Sequence, residues 1–424
     1  MEVTYERDAL TIPLSGRITA DNVDTEENRI RLEMEPYPDA RQFFFDASSL
    51  EYISSAGLRF LLKLQKEKET KIHVINVSDE VMDIFETTGF TGLMYIRKPF
   101  KEISIEGCPV IGEGAYGTVY RIDEERIVKV YKEGKAENIL LNIERDRNLS
   151  SELFLHGIPT AIPYDVVRVG TTYGVIYEML EAKTLLELMN TDSPYLQEMY
   201  TDAVLLAKKL HGTRIDDIHL PDGNKYLRDW YNWAVSILCD EAKEKVKQFL
   251  DKIPQTHTII HADFHPGNIM VRDKGPGVKP EVMLIDLGVI KEGHPCTDFI
   301  SLYPFSRLAR GPFANEKFLE DLKRLELDKI DRGLKVNGRQ QDLDVLSDRL
   351  EQFWDTFLTT YFRAEDEEEK AKTEEVLCEF CMMKYFTMAA KKRTKDDDLL
   401  KWVEKTYLDN IGLLDKLTDL RWAD

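Results

Sequence analysis

Residues 261–268 read HADFHPGN, so an aspartate, Asp263, and an asparagine, Asn268, lie five positions apart on a tight turn containing Pro266 and Gly267. A short apolar run precedes the turn, and Ile269-Met270-Val271 follows it. About eighteen positions beyond Asn268, EVMLIDLGVI sets Asp286 at the end of another apolar strand, with Gly288 two residues on. Two carboxylates and a carboxamide supply hard oxygen ligands and one base. That donor set suits magnesium bridging phosphates, with Asn268 and Asp286 on the metal and Asp263 orienting, or taking the proton from, an attacking hydroxyl. The chemistry implied is phosphoryl transfer. Two plainer readings apply to the parts. His261 and His265 near Asp263 could serve a transition metal, but an asparagine replaces the soft ligand such a site wants. An Asp-x-Gly after a strand is commonly only a turn.

A phosphate site has to be completed from elsewhere in the chain. Gly112, Gly114 and Gly117 form G-x-G-x-x-G in IGEGAYGTVY. A dinucleotide loop of this form opens a helix. Here β-branched, period-two residues follow around a short turn, which predicts a strand hairpin instead. Such a loop covers a ligand from above, its glycines letting backbone amides approach phosphate oxygens. Lys129, within Ile127-Val128-Lys129-Val130-Tyr131, points one ammonium inward from an otherwise apolar strand, and a buried lysine needs a compensating anion. Phosphate oxygens would supply it, together with a carboxylate from the helix expected over about 136–156. Glu144 and Glu152 are the candidates, Glu144 favoured, and spacing does not decide between them. Alone, the loop could be a glycine-rich turn, and the lysine could carry its ammonium outward at a sheet edge. Their order along the chain, glycine loop, strand lysine, helix glutamate, Asp/Asn turn and strand-end aspartate, is the order a phosphotransferase requires.

These motifs, with HGIPTAIP and YGVIYEML, resemble the protein-kinase-like superfamily in its aminoglycoside and choline phosphotransferase branch, over residues 108 to about 300. The resemblance implies an ATP- and Mg2+-dependent enzyme. In it Lys129 binds nucleotide phosphates, Asp263 is the catalytic base, Asn268 and Asp286 bind magnesium, and Glu178 to Leu180 form the hinge beside adenine. His261 and Asp298 would support the catalytic loop. Leu287 stands where protein kinases usually carry Phe, and no Ala-Pro-Glu follows, both departures from a conventional protein kinase. At the other end of the chain, LSGRIT, FFFDAS, YISSAGLRFLL and INVSDEVMDIFETTGF resemble STAS domains, the anti-sigma-factor antagonist fold, over about residues 3–96. That family carries a phosphorylatable serine at a helix start, here Ser55. A phosphate there would meet free amides and the positive end of the helix dipole, although a serine in this place is ordinarily a cap.

The elements that must position these residues follow from pattern. The first hundred residues alternate strand-like runs with a helical stretch after Gly57, whose Leu58, Leu61 and Leu62 share a face. From about Tyr195 the chain turns helical, with Leu196, Met199, Ala203, Leu206 and Leu210 on a buried face. The fold expected is α+β and α/β: a small STAS-type sheet-and-helix domain at 1–98, a kinase-like N-lobe at 99–183, and a large helical C-lobe with the catalytic loop at 184–424. At 424 residues several folding units are expected. A formal charge of -20 argues against nucleic acid and an anionic membrane surface as main partners and leaves cationic ligands and metal ions open. Five scattered cysteines and the absence of a long apolar run predict a cytoplasmic location. Cys378 and Cys381 form C-x-x-C on an apolar helix with no second pair, which argues for packing rather than zinc. The acceptor expected is a hydroxyl on a small molecule, with a regulatory protein at the STAS domain. The alternatives are a nucleotide-binding signalling scaffold and a serine kinase acting on a STAS domain.

Overall fold

The computed structural model describes residues 3–6, 9–114, 117–132, 139–215, 220–234, 240–254, 256–300, 302, 315–317, 343–391 and 397–422. Two compact units emerge, one of residues 1–106 with 130–142 and 166–174, the other of 107–129, 143–165 and 175–424.

In the first unit, β1 (Thr4–Glu6), β2 (Ala9–Ile18), β3 (Gln42–Ile53), β4 (His73–Ile75) and β5 (Tyr95–Ile96) form a sheet in that order. The pairing is antiparallel between β1 and β2 and parallel thereafter. Parallel neighbours need crossovers, and α1 (Val23–Met34), α2 (Ser55–Lys68) and α3 (Asp79–Thr87) provide them. Leu58, Leu61 and Leu64 of α2 join Ile12, Phe45 and Val74 in one buried core, while Leu62 packs against its margin. Gly57 is required at the start of α2. A Cβ there would stand 2.7 Å from Ile53 Cγ1 and 2.8 Å from Ile18 Cγ2, closer than packed carbons approach.

A second sheet takes β6 (Lys101–Glu102), β7 (Val110–Glu113), β8 (Gly117–Arg121), β9 (Arg126–Tyr131), β10 (Pro163–Val169) and β11 (Thr172–Glu178) in the order β6-β10-β11-β9-β8-β7. The glycine loop therefore joins two strands, β7 and β8, which pair antiparallel. Between β9 and β10 runs α4 (Ile139–Leu155); the expected helix start at Ala136 lies outside the described residues. The chain continues through β12 (Ala182–Thr184), α5 (Leu185–Leu188), α6 (Leu196–Gly212), α7 (Gly223–Ala234) and α8 (Asp240–Lys252). Then come β13 (Ile259–Ile260), β14 (Ile269–Arg272), β15 (Glu281–Leu284), β16 (Lys291–Glu292) and α9 (Cys296–Phe299). Further helices cover Leu343–Thr356, Glu367–Lys391 and Asp397–Asn410, and a π-helical turn covers Phe357–Tyr361. This is the mixed architecture expected, a small sheet-and-helix unit followed by mixed sheets and a mainly helical remainder.

The α6 face of Leu196, Met199, Ala203, Leu206 and Leu210 is buried and belongs to the large core of the second unit. Each such side chain contributes roughly 1.5–3 kcal/mol on burial, so this core anchors the loops that follow β13 and β15. The thiols of Cys378 and Cys381 are buried in the same core. Among the described residues no group of three or more His, Cys, Asp or Glu side chains could hold a metal by itself. Between the two cysteines, Glu379 is only 1% exposed, and among the described residues neither carboxyl oxygen has a hydrogen-bond partner. Burial pushes its carboxyl up to about 9. No helix among the described residues is long and apolar enough to cross a membrane.

Candidate active site

One hairpin brings the two metal-ligand candidates together. β14 and β15 pair antiparallel with Ile269 opposite Leu284, so the residues just before β14 and just after β15 are neighbours, although eighteen positions separate them. Two bonds lock this end of the hairpin. The Ile285 N–H donates to the Asn268 carbonyl at 3.0 Å, and His261 Nε2 lies 3.0 Å from the Ile285 carbonyl, which it meets as donor.

The loop carrying Asp263 is braced from below. Asp298 is 1% exposed. Its carboxylate accepts the His261 N–H at 2.9 Å and the Ala262 N–H at 2.6 Å, and His211 Nε2 lies 2.9 Å from it. On the far side of that ring, Nδ1 is 2.6 Å from the Tyr361 hydroxyl. These partners fix the roles: Nε2–H donates to the carboxylate and Nδ1 accepts the phenol hydrogen. A buried carboxylate taking three donors is adequately compensated. It holds Ala262 at φ 64, a conformation that costs a non-glycine residue free energy and turns the chain so that Asp263 leaves the core. Tyr361 closes the π-helical turn, and such bulges recur where a helix must aim a side chain. Neither His211 nor Tyr361 was singled out from sequence; a histidine ending the apolar face of α6 is the one trace they leave.

Asp263 itself is half exposed. Asn268 Nδ2 donates to its carbonyl at 2.9 Å and approaches its Oδ2 at 3.4 Å, which turns the amide oxygen Oδ1 away as the end able to ligate a cation. His265 stands on the other flank. Its Nδ1 accepts the Gly267 N–H at 3.0 Å, and its Nε2 is 3.6 Å from Asp263 Oδ2.

Lys129 reaches across to this loop pair and forms an ion pair with Asp286. Asp286 caps the short turn Leu287–Val289 at φ 58 and ψ 47, the left-handed region that aspartate tolerates better than most residues. Of the expected helix carboxylates, the side chain of Glu144 lies outside the described residues and Glu152 sits near the end of α4. Among the described residues, Asp286 is a carboxylate paired with Lys129. The acid that α4 presses against this loop is Asp146, 5% exposed. A Cβ at Gly288 would fall on its carboxylate, 2.8 Å from Cγ. Sequence reasoning missed Asp146, because Asp-x-Gly reads as a turn whatever packs on it.

The glycine loop shows the reverse case. Among the described residues, a Cβ at Gly112 would meet nothing nearer than Val119 at 3.7 Å, and one at Gly114 nothing nearer than the Gly117 carbonyl at 3.9 Å. The Gly114 N–H donates to that carbonyl at 2.9 Å. The intervening Ala115 and Tyr116 lie outside the described residues.

Glu178 ends β11, and the hinge candidate continues through the buried Leu180 into β12. The N–H of Glu178 donates to Ile162 and that of Met179 to Glu125, at 3.0 and 2.7 Å. Arg272, at the far end of β14, ties this segment to β15, 3.5 Å from the Glu178 carboxylate and 2.5 Å from that of Glu281. Burial works to raise the Glu281 carboxyl, and Arg272 with Lys274 outweighs it, holding it below the usual range. In the first unit, Ser55 opens α2 and is exposed. Ser54 occupies the cap, where its hydroxyl is buried without a hydrogen-bond partner.

The donor set around Asp263, Asn268 and Asp286 fits magnesium held jointly with phosphate oxygens better than a cage made of protein alone. Comparison with known proteins bears on the same residues. Residues 107–332, more than half of the chain, match the model of the phosphotransferase enzyme family. Residues 1–96 match the model described as "Mlab, STAS domain". No curated protein sequence matches the chain. Among solved structures, the ADP-bound aminoglycoside phosphotransferase APH(2'')-Ib aligns at 15% identity and a TM-score of 0.43, over 78% of this chain and 98% of that one. The gentamicin complex of APH(2")-IIa aligns at 15% and 0.40, over 80% and 99%. APH(3'')-Id from Streptomyces rimosus, with ADP and streptomycin, aligns at 17% and 0.36, over 58% and 94%. At such TM-scores the assignment rests on the family model and on the residues themselves. By that match the chain belongs to the phosphotransferase enzyme family, with a STAS-domain match over residues 1–96.

Proposed function

We propose that the enzyme transfers the γ-phosphoryl group of ATP, with Mg2+, to a hydroxyl group of a small molecule. The observation that carries this reading is the meeting of Lys129, Asp286, Asn268 and Asp263 at one end of the β14–β15 hairpin and its bracing loop. The glycines at 112 and 114 support it, since a Cβ at either would meet no described atom nearer than 3.7 Å and their missing side chains leave room for phosphate oxygens beside the loop.

In this reading Lys129 binds phosphate oxygens, and Asn268 Oδ1 and Asp286 would hold magnesium, which when bound supplies charge neutralisation at the bridging oxygens. Asp263 takes the proton of the acceptor hydroxyl as its oxygen forms the new bond to the γ-phosphorus. The bond from that phosphorus to the bridging oxygen breaks, and ADP leaves with the electron pair. Glu178 to Leu180 would line the adenine side, with Arg272 keeping the segment in place. The organisation proposed is a regulatory or docking domain over 1–98, with Ser55 as its phosphorylatable residue and a protein partner, followed by lobes over 99–183 and 184–424.

Purified enzyme screened against hydroxylated metabolites and aminoglycosides, scored by ADP release, tests the reading. At least one acceptor is expected to be turned over, and Asp263→Asn to abolish turnover while ATP still binds. Full turnover by that variant, or tight ATP binding without transfer to any acceptor, refutes it; the second result would favour a nucleotide-responsive scaffold.

A further inference from the structure

We propose that His265 is a positioning residue for Asp263, its Nε2–H aimed at the Asp263 carboxylate by the bond that the Gly267 amide makes to Nδ1. The proposal rests on the phosphotransferase reading and names one more residue of that site.

Proton bookkeeping gives the first support. Nδ1 accepts the Gly267 N–H at 3.0 Å, and an imidazole nitrogen that accepts carries no hydrogen, so a neutral ring bears its hydrogen on Nε2. That nitrogen is the one turned toward Asp263 Oδ2, at 3.6 Å. The distance is too long for a hydrogen bond, but catalytic contacts are commonly long before substrate arrives and tighten in the loaded complex. Asn268 Nδ2 approaches the same Oδ2 at 3.4 Å, so two donors face the same carboxylate oxygen, one at hydrogen-bond distance and one just beyond it.

The ring's place is also built into the turn. A Cβ at Gly267 would stand 2.8 Å from His265 Cε1 and 3.0 Å from Nδ1, so the imidazole can lie there only because position 267 is glycine. Asn268 closes the turn by donating its N–H to the His265 carbonyl at 2.8 Å, which couples the ring and Asn268 in one rigid unit. The side chain of His265 is 37% exposed, which argues against a packing role.

Two substitutions separate the ring's two nitrogens. Asparagine places an acceptor near Nδ1 and no donor near Nε2; glutamine places an amide nitrogen near Nε2. His265→Asn is expected to lower kcat at least about tenfold with the KM for ATP within about twofold, and His265→Gln to recover kcat to within about threefold of the original. Thermal melting of both variants verifies folding. Independently of turnover, nitrogen-15 spectra of the full chain, with the His265 signals assigned by their loss in His265→Asn, are expected to show a pyridine-type Nδ1 and a pyrrole-type Nε2. Unchanged kcat in His265→Asn, equal loss in both variants, or the opposite nitrogen pattern overturns the proposal and leaves the phosphotransferase reading standing. Absence of turnover in the unsubstituted chain removes that reading and this proposal with it, so the two failures are told apart.

Discussion

Replacing Glu379 with glutamine should stabilise the protein, and by an amount that depends on pH. The carboxyl is 1% exposed, has no hydrogen-bond partner among the described residues, and is raised by burial from 4.5 to about 9. It is therefore neutral in the folded chain and ionised in the unfolded chain throughout the window between those two values. Within that window folding must take up a proton, so the native state loses about 1.4 kcal/mol of stability for each pH unit above 4.5. At pH 7 the cost is about 3 kcal/mol. Glutamine, nearly isosteric and uncharged, carries no such cost, so the gain in Glu379→Gln should be near zero at pH 4.5 and grow steadily toward pH 8. A rise in melting temperature of roughly 2–4 °C per kcal/mol is expected for a unit of this size. Paired thermal melts of the two proteins at half-unit pH steps measure it. A difference that stays constant with pH, or a variant less stable at pH 7, would show that the carboxyl is ionised in the native state and refute the reasoning.

Two further outcomes follow from packing. Gly288→Ala should destabilise by about 1–3 kcal/mol, because the new methyl meets Asp146; in denaturant titrations the double variant with Asp146→Ala should lose less than the sum of the two single changes, and strict additivity would contradict the contact. Asp298→Ala leaves three buried donors without their acceptor, at about 1–3 kcal/mol each, so the second unit should melt markedly earlier, and an unchanged midpoint would mean that the loop does not hang on this carboxylate.

Legibility from sequence tracked the range of the interaction. Asp263 and Asn268 stand out because a five-residue turn fixes their relation locally, and Asp286 stands out because an apolar strand ending in Asp-Leu-Gly is a local pattern. Their meeting is also readable, since two apolar strands joined by KGPG and KP make a hairpin. Tyr361 could not be placed, because its partner His211 is far away in the chain and the connection depends on how a π-turn docks. Arg272 was equally silent, as a charged residue ending a strand looks solvated until Glu178 and Glu281 arrive on either side. Glu379 was silent for a different reason. In a helix that opens with a run of acids, one more glutamate reads as surface, and only the packed structure shows it enclosed.

The bridge between Lys129 and Asp286 has a thermodynamic consequence for substrate capture. If Lys129 takes phosphate oxygens and Asp286 the cation, as proposed, a polyphosphate arriving without a divalent cation pulls the ammonium from its carboxylate, and a cation arriving alone pulls the carboxylate from its ammonium; either guest separates opposite charges that are paired in the structure. Only the combined visitor gives each of them a new counterion at once. Affinity for the pair should therefore exceed the product expected from separate titrations, and the enzyme would discriminate against bare nucleotide with no moving part dedicated to the task.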